Sequence, residues 1–201
     1  DGQGHGTVIT ITSPDVMLQG FAVTGSGAMN QQLDAGVKIL KGADRAVIEN
    51  LLLQDNMHGI DVHGGRDARV MNNEIIGRQN ARMNERGNGI YIWNSPGTVV
   101  EGNSVRYGRD GIFSNTSRKG TYRNNLFRDL RFAVHYMYTH DSEVSGNISI
   151  GNHLGFAIMF SDRVQVLNNL SLGDREHGLM LNYANSADVS GNLVRGGAKK
   201  C

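Results

Sequence analysis

A turn-like residue followed by an apolar-x-apolar pattern recurs down the whole chain, at Gly6, Gly36, Gly59, Gly89, Gly111, Ala133, Gly155 and Gly178. The successive intervals are 30, 23, 30, 22, 22, 22 and 23 residues. A fixed short period leaves few folds open. This one is too short for a two-helix repeat and lacks a leucine-rich consensus, but it suits one coil of three short strands stacked about 4.8 Å above the last. Adding fourteen to each anchor lands on Gly20 and then on Asn50, Asn73, Asn103, Asn125, Asn147, Asn169 and Asn192. In a stack of coils the same position aligns from coil to coil, so an asparagine at every turn can hydrogen-bond to its neighbours above and below. Short apolar runs flank this position, as in Val47-Ile48 before it and Leu51-Leu53 after it. The sequence therefore predicts an all-β chain. Its form is a right-handed parallel β-helix of about 22 residues and three short strands per coil, with an asparagine ladder.

Composition agrees with this reading. Twenty-seven glycines against two prolines, in a chain of 201 residues, fit many tight turns in a regular array rather than long helices. Twenty basic and nineteen acidic residues leave a net charge of +1 with no dense basic cluster, which argues against a nucleic-acid partner. No run approaches the roughly 18 apolar residues of a membrane span, and Asp1-Gly2-Gln3-Gly4 does not read as a signal peptide. The lone Cys201 excludes an internal disulfide framework, and its role is undefined. One β-helix domain over 1–201 is expected, with inserted loops near 25–34 and 78–88 producing the two long intervals.

Period-two alternation after each anchor sends offsets +1 and +3 inward, as in Ile60 and Val62, Ile90 and Ile92, Phe156 and Ile158, Leu179 and Leu181. Offsets +2 and +4 then face outward. They read Lys38/Leu40, Asp61/His63, Tyr91/Trp93, Phe113/Asn115, His135/Met137, Ala157/Met159 and Met180/Asn182. Aromatic, Met and His side chains along one exposed strand face are unlike the Lys, Glu, Thr and Ser of a solvated surface, so Tyr91, Trp93, Phe113 and His63 mark a binding face. Toward the C-terminal half, His135, Met137 and Met159, with His153, His177 and Met180 nearby, form a set of soft and borderline ligands that favours copper, and Cu(I) in particular, over Mg(II) or Ca(II). Met29, Met57, His58, His63 and Met83 form a second, weaker group near the inserted loops.

The strings G-I-Y-I-W-N-S-P-G at 89–97, R-Y-G-R-D-G-I-F at 106–113 and R-F-A-V-H-Y-M-Y-T at 131–139 closely resemble the NosD family of maturation proteins for the copper sites of nitrous-oxide reductase. The resemblance covers the whole chain. It implies a periplasmic, non-enzymatic protein that joins an ABC transporter ATPase and membrane subunits, receives copper from a lipoprotein chaperone and contacts the reductase. It also implies a β-helix longer than this chain, whose two ends both fall within the repeat, so a fragment is expected. No motif of the family fixes the copper ligands, which rest on the spacing above.

Two other classes compete. Gly59-Ile60-Asp61-Val62-His63-Gly64 looks like the D-P-H-D string of alginate epimerases, and aromatic rings at Tyr91 and Trp93 suit sugar stacking, so a uronan epimerase or lyase is one alternative. Val62 stands where that string has proline and Gly64 where it has the second acid, which leaves Asp61 and His63 without an obvious charge-neutralising partner other than Arg66 or Arg86. The other alternative is a metal-free scaffold whose Met and aromatic face docks a second protein.

Overall fold

The computed structural model describes residues 1–197, and Cys201 lies outside them. Three parallel sheets of eight strands each wind around one core as a right-handed β-helix. The first sheet contains the strands that follow the anchors: Ile9–Ile11, Ala35–Leu40, His58–His63, Ile90–Trp93, Asp110–Asn115, Phe132–Met137, Leu154–Met159 and His177–Asn182. Each is in register with the next, so that Ile60, Ile90, Ile112, Val134, Phe156 and Leu179 form one inward row. All but Leu179 are buried. Two short 3-10 helices, Asn30–Gln32 and Met83–Glu85, fall inside the two insertions, which both lead into a first-sheet strand.

Glycine at the anchor has a steric cause. A Cβ on Gly59 would stand 2.5 Å from the carbonyl oxygen of Gly89 and 2.6 Å from Ile75 Cγ2, where the chain turns hard against the next coil. Gly59→Ala is expected to cost about 1–3 kcal/mol in urea unfolding, because the first obstacle is backbone and cannot rotate away.

The ladder runs from Asn73 through Asn103, Asn125, Asn147 and Asn169 to Asn192. The backbone N–H and the side-chain Nδ2 of each donate to Oδ1 of the next, at 2.9–3.0 Å. Asn50 is not a rung. Leu51 holds the equivalent position and donates its N–H to Asn73 Oδ1 at 2.9 Å. The coil containing Asn50 carries one more residue in its first turn. Leu40 pairs with His63 and Val47 with Arg69, which are separations of seven and six residues. A fixed offset from the anchor therefore lands one residue short. Asn50, with φ of 54°, instead occupies the left-handed turn position that precedes each rung, as Asn72, Asn124 and Asn168 do further along.

Further buried polar columns lie outside the asparagine ladder. Ser95 N–H donates to Ser117 Oγ at 3.1 Å and Thr139 N–H to Ser161 Oγ at 2.9 Å, while Leu130 and Asn152 N–H donate to the Oδ1 atoms of Asn152 and Asp174. These serve the other turns as the asparagines serve theirs, leaving few backbone groups unpaired where the chain changes direction.

Candidate functional site on the outward face of the first sheet

The +2 and +4 side chains lie on the outer face, but the +2 row is not a free surface. Asp61 and Ala157 are fully buried, His135 is nearly so, and Tyr91 and Phe113 are half-buried. Two effects close it. Rings stack along the column, with centroid distances of 5.9 Å for His58–Tyr91, 5.4 Å for Tyr91–Phe113 and 4.7 Å for Phe113–His135. The first insertion also folds over the earlier coils: Lys38 Nζ donates to Gln32 O and His58 Nε2 meets Asn30 Oδ1 at 3.1 Å. Arg78 ties the second insertion to the first by donating to Ser26 O and Gly27 O at 2.8 and 3.0 Å.

Phe132 and Asp110, which each precede an anchor, meet His135 on this face although strict alternation from the +1 row would turn them inward. Phe132 stacks on His135 at 4.6 Å, and His135 is clamped between it and Phe113. Asp110, also before an anchor, is buried beside it. Arg131 donates to both carboxylate oxygens of Asp110, at 2.8 and 2.6 Å, and His135 Nδ1 lies 3.1 Å from Oδ2. Burial alone would raise the Asp110 pKa, but the hydrogen bonds from His135 and Arg131 outweigh it and hold the carboxyl below the usual range. With Nδ1 committed to Asp110, Nε2 is the nitrogen left for a ligand.

Around this histidine the register gathers the sulfur side chains. His135 pairs with Ala157 and Ala157 with Met180, while Met137 pairs with Met159. Ala157, a buried methyl among long side chains, thus has His135 and Met180 as its register neighbours in the +2 column and Met137 and Met159 in the adjacent +4 column, the three methionines half-buried. His177 pairs with Leu154 on the same sheet, one column away. His153 stands apart, in the turn before the strand Leu154–Met159, with Nε2 3.4 Å from Glu176 Oε2. One imidazole and three thioethers suit a soft monovalent cation, and no carboxylate among them would draw a hard one. Among the described residues no group of three or more His, Cys, Asp or Glu is placed to hold a metal ion, so any site here depends on methionine.

Sequence reasoning missed Asp110 and Arg131. It also missed a second ring column beside the methionines: Tyr138, Phe160 and Tyr183 stack at 5.4 and 5.2 Å, with Tyr138 and Tyr183 exposed. Each follows a +4 residue directly and has φ near +50°, which bulky side chains rarely adopt. Their spacing of 22 and 23 residues is the signal that would have found them. His63 stacks on the exposed Trp93 at 4.5 Å, on the earlier coils.

A family model described as "Periplasmic copper-binding protein (NosD)" matches residues 71–201. A protein of Stutzerimonas stutzeri named "Probable ABC transporter binding protein NosD" is 35% identical over 192 residues, covering 96% of this chain and 44% of that protein. Its namesake in Pseudomonas aeruginosa is 35% identical over 196 residues, covering 98% and 46%. The chain thus spans less than half the length of these relatives. Among solved structures, the Dettilon tailspike protein superposes with a TM-score of 0.69 over 91% of this chain and 46% of its own, at 15% identity, which speaks for the fold alone.

Proposed function

The chain belongs to the NosD family of periplasmic copper-binding proteins, and from that premise we propose that it works in the periplasm, without catalysis of its own, in delivering copper to nitrous-oxide reductase or assembling its copper sites. Copper is its cargo, carried as Cu(I) by the side chains around Ala157. The partners are the reductase, a lipoprotein chaperone that hands copper on, and the ATPase and membrane subunits of an ABC transporter.

The observation that carries this reading is the register that sets His135, Met137, Met159 and Met180 at positions next to one small buried residue, with His135 oriented through Nδ1 by Asp110. A transfer site has to release its ion, and thioethers with one imidazole bind Cu(I) without the closed thiolate cage that would hold it, in a compartment where thiols oxidise. Anaerobic Cu(I) titration against a competing chelator tests it. His135→Ala and the double variant Met137→Leu/Met159→Leu are expected to weaken binding at least about tenfold, since Leu keeps the apolar volume while removing sulfur. Undiminished affinity in both would sink this site.

The exposed stack of Tyr138, Phe160 and Tyr183 beside the methionines favours one second reading, a docking patch for a partner protein. Copper binding that survives these substitutions while association with the reductase is lost would select it. A uronan epimerase or lyase is disfavoured by Gly64, which stands where the second acid is needed. Incubation with polymannuronate or polygalacturonate is expected to yield no unsaturated or epimerised product by absorbance and proton NMR, and product that vanishes in Asp61→Asn would reverse this view.

A further inference from the structure

Among the described residues, the buried side-chain polar atoms without a hydrogen-bond partner are Asp61 Oδ1 and Oδ2, His63 Nδ1, Asn88 Oδ1 and Arg109 Nε. All belong to first-sheet strands or to the residues just before them, between 61 and 109. Three of the five sit on two side chains of one strand, two residues apart and therefore on the same side. Unpaired buried polar atoms cost about 1–3 kcal/mol each, and more when charged, so a cluster of them marks a place where a partner belongs.

We propose that Asp61 and His63 chelate a divalent first-row transition metal ion, at a second site separate from the methionine set around Ala157 and independent of its role. Asp61 Oδ1 and His63 Nδ1 are 3.6 Å apart, too far for a hydrogen bond. Two metal bonds of about 2.0–2.2 Å, meeting at a roughly tetrahedral to trigonal angle, span that gap. Neither atom is open to water, which suits a small ion held between them better than a larger molecule. The ring of His63 is one-third exposed, so its turning would open the gap to solvent, where water fills the remaining coordination positions.

The charges around the pair allow this. Lys38 Nζ lies 3.5 Å from Asp61 Oδ2, the oxygen away from the histidine, where it neutralises part of the carboxylate and leaves Oδ1 for the ion. Oxygen with imidazole nitrogen prefers Zn(II), Cu(II) or Ni(II) to Cu(I), so the two sites take ions of different character. Their separation follows from the register. Asp61 pairs with Tyr91, Tyr91 with Phe113 and Phe113 with His135, three coil steps or about 14 Å.

The chain supplies its own reporter, because its single tryptophan is Trp93, stacked on His63 at 4.5 Å and 24°. In aerobic solution, Cu(II) is expected to quench Trp93 fluorescence with one-site saturation, and excess Zn(II) added first is expected to block the quench. Asp61→Asn, confirmed folded by circular dichroism, should weaken the apparent affinity at least about tenfold, whereas Met137→Leu/Met159→Leu should leave the curve unchanged. In the unsubstituted protein, Zn(II) should shift the Nδ1 resonance of His63 in nitrogen-15 spectra. Saturable quenching that Asp61→Asn does not alter, absence of quenching up to millimolar Cu(II), or a His63 resonance unmoved by Zn(II) would each overturn the proposal.

Discussion

Asn125→Ala is expected to destabilise the protein by roughly 3–5 kcal/mol in urea unfolding. Asn125 Oδ1 accepts from both N and Nδ2 of Asn103 at 2.9 Å, and its Nδ2 donates to Val100 O at 3.0 Å and to Asn147 Oδ1 at 2.9 Å. Every one of these bonds is buried, so truncation strands the Asn103 N–H and the Val100 carbonyl with no water to replace the lost partner. The matched control is Asn50→Ala. It touches only an exposed turn residue in the left-handed region, where the penalty for a Cβ-bearing residue without a local side-chain bond is about 1 kcal/mol. Equal losses for the two would mean that the column does not discriminate rung from turn, and the register described above would be wrong.

That pair of residues also shows where sequence reading stops. The period and three-strand coil, the inward +1 and +3 rows except at Leu181, which is exposed in the last coil, and the places of both insertions are legible, because each follows from spacing alone. Spacing counts residues whereas a column obeys hydrogen-bond register, so one extra residue in a turn puts the fixed offset on Asn50 and the rung position on Leu51. The burial of the +2 row is not legible, because period-two alternation says which side of the strand a group takes but not what folds over it. Rings of neighbouring coils and the 25–34 insertion cover that side. Asp110 and Arg131 escape for a related reason: alternation counted from the +1 row turns the residue before an anchor inward, whereas Asp110 meets His135 and Arg131 on the outer side. Of the proposed copper ligands, His135, Met137, Met159 and Met180 occupy neighbouring register positions because offsets +2 and +4 repeat faithfully, whereas His153 belongs to a turn that has its own partner in Glu176.

His58 gives the second large effect, on acidification. Sequence grouped it with Met29, Met57, His63 and Met83 as a weaker metal candidate, but both of its nitrogens are already used. Asn88 N–H donates to Nδ1 at 3.0 Å, so the proton sits on Nε2, which donates to Asn30 Oδ1 at 3.1 Å. The ring thereby fastens the residues that end the second insertion to the 3-10 turn of the first. Burial, reinforced by the positive charges of Lys38 and Arg109 and opposed by Asp34, lowers its pKa from 6.5 to about 4. A proton on Nδ1 would remove the acceptor that Asn88 needs, so the folded state resists it while the unfolded chain takes it up near pH 6.5. The stability that follows is fully present above pH 6.5 and is lost as pH falls toward 4, by about 3 kcal/mol in all. His58→Phe, which keeps a ring to stack on Tyr91, should start less stable because Asn88 N–H is left unpaired, yet show a flatter stability curve between pH 6.5 and 4. The difference between the two curves isolates His58 from the other histidines and from Asp110, whose lowered pKa confines its own loss of stability to more acid solution. Histidine resonances followed by NMR supply the direct check: a His58 ring that titrates near pH 6.5 in the folded protein would show that it does not bridge the two insertions as a neutral group.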